Sequence, residues 1–253
     1  MPRGVKQFLY GILYLAIIVA LGFGVYARFW NQAPSCFDGI QNGGEQGIDC
    51  GGPCAELCVA SLTPVETLEQ PTMVSNGFGR ATIFAHVANA NADAGVSGMT
   101  YSFSLLDASG AVVGSIPGET FFYPGQTKYL VAVNQAVPAM TASVALLVAS
   151  TSWVASATMG IAPLLSFQNV MTAAVSSGTI AASGIVVNQD PVAVSNVLVV
   201  AFFKDTSGAT VGISQTEIDR ISGNTSANFS VLYPVNPNID PTKTEVDAYG
   251  LRG

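Results

Sequence analysis

The longest run of apolar positions comes first. Residues 8–26 read FLYGILYLAIIVALGFGVY, and nothing charged lies between Lys6 and Arg28. A helix of this length, rising ~1.5 Å per residue, is about as long as the ~30 Å hydrocarbon core of a bilayer, so the run is expected to span a membrane. Near Ser61 the texture changes to short stretches in which apolar and small polar residues alternate. Tyr101, Phe103 and Leu105, for example, are separated by Ser102 and Ser104, with Gly, Pro and Asn between the stretches. Period-two alternation marks strands with one face on a core. Strands are expected over 81–88, 127–133 and 143–150, and again over 184–188, 226–233 and 244–248.

The β-like region compares with itself. Residues 107–114, DASGAVVG, match residues 205–212, DTSGATVG, at an offset of 98. The same offset brings Gly125 to Gly223, Thr127 to Thr225 and Val133 to Val231, and a one-residue gap upstream sets Asn89 against Asn188. Such self-similarity points to a tandem duplication. Each copy is expected to hold a hairpin around its Asp-x-Ser-Gly turn, where Asp bonds its own backbone and Gly accepts a positive φ. Short strands with frequent turn signals fit an antiparallel sandwich. The fold class is therefore mainly β: one N-terminal transmembrane α-helix, a short disulfide-rich module, and two tandem immunoglobulin-like antiparallel β-sandwiches. The expected boundaries are 1–30 for the cytoplasmic tip and membrane helix, 31–60 for the cysteine module, and 61–160 and 161–253 for the sandwiches.

Charge gives this arrangement a direction. Arg3 and Lys6 precede the apolar run with no acid beside them. Basic flanks stay cytoplasmic, which puts everything after the helix on the far side of the membrane. Tyr26, Phe29 and Trp30 are then expected at the outer interface, where amphipathic aromatic rings concentrate. A cleaved signal peptide is the competing reading, but the run ends in GFGVYARFW, whose bulky rings make a poor cleavage site. The net charge is −7, and residues 31–70 carry acids with no Lys or Arg. Such a surface repels a phosphate backbone, which excludes nucleic acid as a partner.

All four cysteines, Cys36, Cys50, Cys54 and Cys58, follow the helix directly. An even cluster suggests two disulfides or one four-thiolate metal site; outside the cytoplasm thiols oxidise, so disulfides are expected, with all three pairings open. Asp38, Asn42, Glu45 and Asp49 stand among glycines in the same stretch. These oxygen donors could hold calcium, the one candidate cofactor, or could instead close turns on their own backbone. Ile40 at the third position of the would-be loop excludes an EF-hand.

Two resemblances are specific. Cys36, Asp38, Gly39, Asn42, Glu45, Asp49, Cys50, Gly51, Gly52 and Cys54 meet every fixed position of C-x-DG-x-x-N-x-x-E-x-x-x-DCGG-x-C, so this segment resembles a short cysteine module of bacterial and some algal surface proteins. The resemblance implies an extracellular, disulfide-closed module without catalysis. Residues 103–107, FSLLD, resemble the F-x-L-Y-D signature of a small bacterial β-sandwich family found in secreted and membrane-attached proteins. Leu106 replaces the Tyr, and the second copy reads AFFKD, so the resemblance extends to the fold.

Little else carries chemistry. His86, the one histidine, falls in an expected strand. No Ser-His-Asp, Cys-His or metalloprotease constellation can be assembled around it, and no phosphate-binding loop is present. Glu217 and Asp219 offer either carboxylate acid-base work or, as expected in a turn beside Arg220, a pair of solvated charges. Trp153, Phe121, Phe122 and Tyr123 offer either an aromatic binding strip or packing. Asn224 and Asn228 fit glycosylation sequons, which matter only in a host that uses them. The sequence therefore points away from an enzyme. It suggests a spacer or adhesive protein of the cell envelope, with the membrane and other envelope proteins or glycans as partners. An accessory subunit of a secretion or pilus-like assembly is the alternative, and an extracellular hydrolase a third.

Overall fold

The computed structural model describes residues 2–29, 35–54, 56–176 and 178–253, with the backbone alone for 27–29. The chain forms two compact units, Met1–Cys58 and Val59–Gly253. In the first, helix α1 spans Arg3–Phe29. Its apolar stretch Arg3–Tyr26 has a mean hydropathy of 2.4 and no buried side chains. A helix apolar on all sides and buried by nothing has the form of a membrane-crossing helix, which a signal sequence shares. Trp30 lies outside the described residues. The cysteine module is closed by two disulfides, Cys36–Cys54 and Cys50–Cys58, with Cα atoms 5.6 and 5.1 Å apart.

The second unit is built from antiparallel strands. Its first half holds β1 (Glu66–Thr67), β2 (Thr72–Gly77), β3 (Arg80–Ala88), β4 (Ala94–Leu106), β5 (Val112–Phe122), β6 (Thr127–Ala136) and β7 (Ser143–Ala155). The second half holds β8 (Leu165–Ser176), β9 (Thr179–Asn188), β10 (Val194–Lys204), β11 (Thr210–Ile221), β12 (Ser226–Pro234) and β13 (Glu245–Arg252). β1 and β2 take successive stretches of one edge of β3 and β6 takes the other, while the facing sheet runs β5-β4-β7. The second half repeats this order as β8-β9-β12 facing β11-β10-β13. Two immunoglobulin-like sandwiches result. The strands expected from alternation are present, and β1, β2 and β8, which the alternation did not flag, are added.

Each sandwich has its own core. Ile83, Val87, Phe103, Leu105 and Phe122 fill the first; Val186, Val197, Val199, Phe203 and Val231 fill the second. Burying a side chain of this size is worth ~1.5–3 kcal/mol, and no disulfide assists in either core. A third cluster joins the two sandwiches. Val200 and Phe202 of β10 and Ile213 of β11 pack on Phe84 of β3 and on Tyr129 and Val131 of β6. The Phe202 ring lies 4.5 Å from that of Tyr129 and 6.2 Å from that of Phe84. The β2-β3-β6 sheet thus has apolar contacts on both faces, and so does β11-β10-β13.

Matching polar devices recur in the two halves. The fully buried Asn188 donates its amide to the carbonyls of Val192 (2.9 Å) and Ser222 (3.1 Å), while Asn89 does the same to Ala94 (2.8 Å) and Tyr123 (3.0 Å). Each pins the loop after its strand to the end of the facing sheet, with its own side-chain oxygen accepting from the N–H two residues on. Asp107 and Asp205 accept from Ser109 and Ala111, and from Ser207 and Ala209, at the same 2.8 and 3.0 Å. These bonds, led by the Ser109 and Ser207 hydroxyls, hold both carboxyls below the usual range. One expected equivalence is corrected. Gly125, at φ 65°, donates its N–H to Asn91, and its geometric counterpart is Asn224, at φ 55°, which donates to Asp190. The offset here is 99 rather than 98, because β11 carries one residue more than β5.

Candidate functional site

The residues singled out in the cysteine module serve its turns. Asp49 accepts the N–H groups of Asp38 and Gly39, both at 2.9 Å. Asp38 accepts from Ile40 N–H and from the Asn42 amide, also at 2.9 Å, and these bonds, the Asn42 one foremost, lower its pKa. The buried Glu45 accepts the N–H groups of Asn42 (3.2 Å) and Asp49 (3.3 Å) through one oxygen, and the other rests 3.3 Å from the Cys54 sulfur. The carboxylates named as calcium donors thus each accept main-chain N–H groups. Asn42 keeps its side-chain oxygen buried without a partner. The ligand-type atoms that converge within 4.8 Å among the described residues belong to Cys36, Glu45 and Cys54, and both sulfurs are bonded in disulfides. The Asp-Cys-Gly-Gly run has a backbone reason: at Gly52, φ is 59° and a Cβ would lie 2.2 Å from the Gly44 carbonyl oxygen.

The remaining candidates separate. His86 stacks on Tyr129 at 4.4 Å, as a packing partner in β3. Glu217 and Asp219 sit on strand β11 instead of a turn, exposed on either side of Ile218. The aromatic strip divides: Phe122 and Tyr123 are buried, Trp153 lies against the first core, the Tyr123 hydroxyl accepts the Arg252 N–H at 2.8 Å, and Phe121 is half-buried on a cavity wall. Arg252 also pairs with Asp190.

What sequence reasoning missed is Lys128. It is 4% exposed, its ammonium 4.1 Å from the centre of the Phe121 ring and 4.6 Å from that of Phe122. Burial lowers its pKa from 10.5 to about 7. The signal was available: Lys128 is the sole Lys or Arg between Arg80 and Lys204, and in the alternation of β6 it shares a face with the buried Leu130.

The amine borders a cavity of about 300 Å³ along the free edge of β6, closed on one side by β5 and on the other by the second sandwich. Tyr101, Glu119, Phe121, Gln215, Glu217 and Tyr249 are among its walls. Tyr249 accepts the Tyr129 N–H at 3.1 Å, so β6 has an ordered partner on its open side. Burial raises the pKa of Tyr101 and Tyr249, and of Tyr129 together with the charges of Asp247, Glu69 and Glu245. The cavity walls thus offer phenolic donors that stay protonated, two carboxylates and one amine.

No protein-family model matches the chain, and no curated protein does either. Among solved structures, red sea bream transglutaminase is similar at 13% identity over 72% of this chain and 29% of that one, with a TM-score of 0.21. The chain spans less than a third of that enzyme's length, and a likeness of this strength carries no argument.

Proposed function

We propose that the chain is a membrane-anchored, extracytoplasmic protein whose paired sandwiches act as a spacer or adhesive body at the cell envelope, without catalysis. The observation that carries this reading is the sequence of devices: an unburied apolar helix, then a segment closed by two disulfides. Disulfides persist in oxidising compartments, and a glycine-rich stretch with little apolar surface depends on them. The basic flank of Arg3 and Lys6 sets the N-terminus inside, and the helix is retained as the anchor. The matching strand order and paired asparagines favour duplication of one sandwich. The likeness to the cysteine module and to the F-x-L-Y-D family favours a bacterial surface origin.

The test is protease treatment of spheroplasts expressing the chain with a C-terminal tag, followed by mass measurement of the membrane fraction. Loss of the tag from intact spheroplasts, with an uncleaved N-terminus in untreated membranes and no alkylation of the cysteines without reductant, is the expected outcome. A protected tag, or four free thiols, overturns the reading.

A further inference from the structure

Lys128 is not required by the fold it occupies. In β6 it stands opposite Val87 of β3; the same place in the second sandwich, opposite Val186 of β9, holds Ala227, which packs against that core. An apolar residue serves there with no desolvation cost. Lys128 is 4% exposed, its ammonium lies over the Phe121 and Phe122 rings, and no hydrogen bond or ion pair to a carboxylate or carbonyl is made by it among the described residues. It borders a cavity that a small molecule could fill, and a second cavity of about 580 Å³ shares the walls Glu119, Thr120, Phe121 and Asn196. An anion is disfavoured, since Glu119 and Glu217 line the space and Lys128 is the sole basic residue among its walls.

We propose that Lys128 is an amine nucleophile that captures small neutral aldehydes, hydroxyaldehydes in particular, as reversible imines in the cavity between the sandwiches. The lone pair of Nζ attacks the carbonyl carbon, the C–N bond forms as the C=O π bond opens, and a proton passes from nitrogen to oxygen. Expulsion of water, with loss of the second amine proton, gives the imine; no oxidant or reductant enters. Burial keeps a large share of this amine neutral near pH 7, which the attack requires. Glu119 on β5 and Glu217 on β11 can relay protons, and Tyr101 and Tyr129 supply hydroxyls to hold a hydroxylated chain. Gln215 adds an amide for the same purpose.

The probe is glycolaldehyde with cyanoborohydride at pH 7 on the full chain in detergent, with adducts mapped by mass. The chain has four lysines, Lys6, Lys128, Lys204 and Lys243, so each site is counted separately from the N-terminal amine. An ordinary lysine is neutral in roughly one molecule in 2,500 at pH 7, while an amine with a pKa near 7 is neutral in about half. After allowance for restricted access, Lys128 is expected to gain adduct at least ~10-fold faster than Lys204 and Lys243. Lys128→Arg, which keeps the cation, should abolish that adduct and leave the others unchanged. Labelling of Lys128 no faster than of Lys204 and Lys243, or only after unfolding, overturns the proposal, whichever way the membrane experiment falls.

Discussion

The central strands β4 and β10 occupy the same place in their sandwiches but differ on one face. Inward, Tyr101, Phe103 and Leu105 correspond to Val199, Ala201 and Phe203, all apolar. Outward, Thr100, Ser102 and Ser104 correspond to Leu198, Val200 and Phe202. The outward residues of β4 belong to no apolar cluster among the described residues, so small hydroxyls suffice. The outer face of β10 lies against the first sandwich and must be apolar. A strand covered on both sides reads as a continuous hydrophobic run, and residues 197–203, VLVVAFF, do so. The departure of AFFKD from the first copy's pattern is thus the signature of an interface between the halves.

The sharpest way to break this comparison is Phe202→Ala against Ser104→Ala. The first removes a buried ring from the joint and should cost ~3–5 kcal/mol in denaturant unfolding; the second should stay within ~0.5 kcal/mol. Equal losses would mean that the joint carries no stability.

Lys128 against Ala227 is the next contrast. Because the folded pKa of Lys128 lies below the unfolded value, the unfolded chain binds more protons between about pH 7 and 10.5, and stability contributed by this group rises with pH across that window. Chemical denaturation at pH 7 and pH 9 should show wild type gaining on the order of 2 kcal/mol, while Lys128→Met loses that gain and is the more stable protein at pH 7. The raised tyrosine pKa values act in the opposite sense only above pH 10, outside the comparison. A flat wild-type profile would leave Lys128 charged in the fold.

Where the halves agree, paired variants should agree too. Asn89→Ala strands two carbonyls and Asn188→Ala three, and each should cost ~1–3 kcal/mol. Asp107→Ala and Asp205→Ala act on exposed turns and should lower the thermal midpoint by less than the asparagine variants, and equally. Smallest of all, calcium should leave protease resistance over 36–58 unchanged, because main-chain amides already occupy the carboxylates of Asp38, Glu45 and Asp49.

Much of this architecture was legible in the chain because its signals are local. An uncharged run long enough for a bilayer, period-two alternation, and an Asp-x-Ser-Gly turn each depend on neighbours a few residues away. The Asn89 and Asn188 pairing was visible as a repeated residue, and its geometry confirms a shared structural task. Glu217 and Asp219 were misplaced in a turn because polar residues on the exposed face of an edge strand resemble a loop in composition. β8 escaped notice for a related reason: most of its residues are exposed, so no clear apolar face marks it.

The sequence by itself determined the helix, the position of the cysteines and most of the strands, since propensity and periodicity act at short range. Tertiary structure alone decided which cysteines pair, because connectivity depends on how turns bring Cα atoms together. It also decided that the sandwiches share an apolar joint, because that requires two faces far apart in the chain to meet. The place of Lys128 belongs to the same class: a lone cation in a strand becomes a buried amine beside a cavity only when β5 and the second sandwich close over it and remove the water that would have solvated its charge.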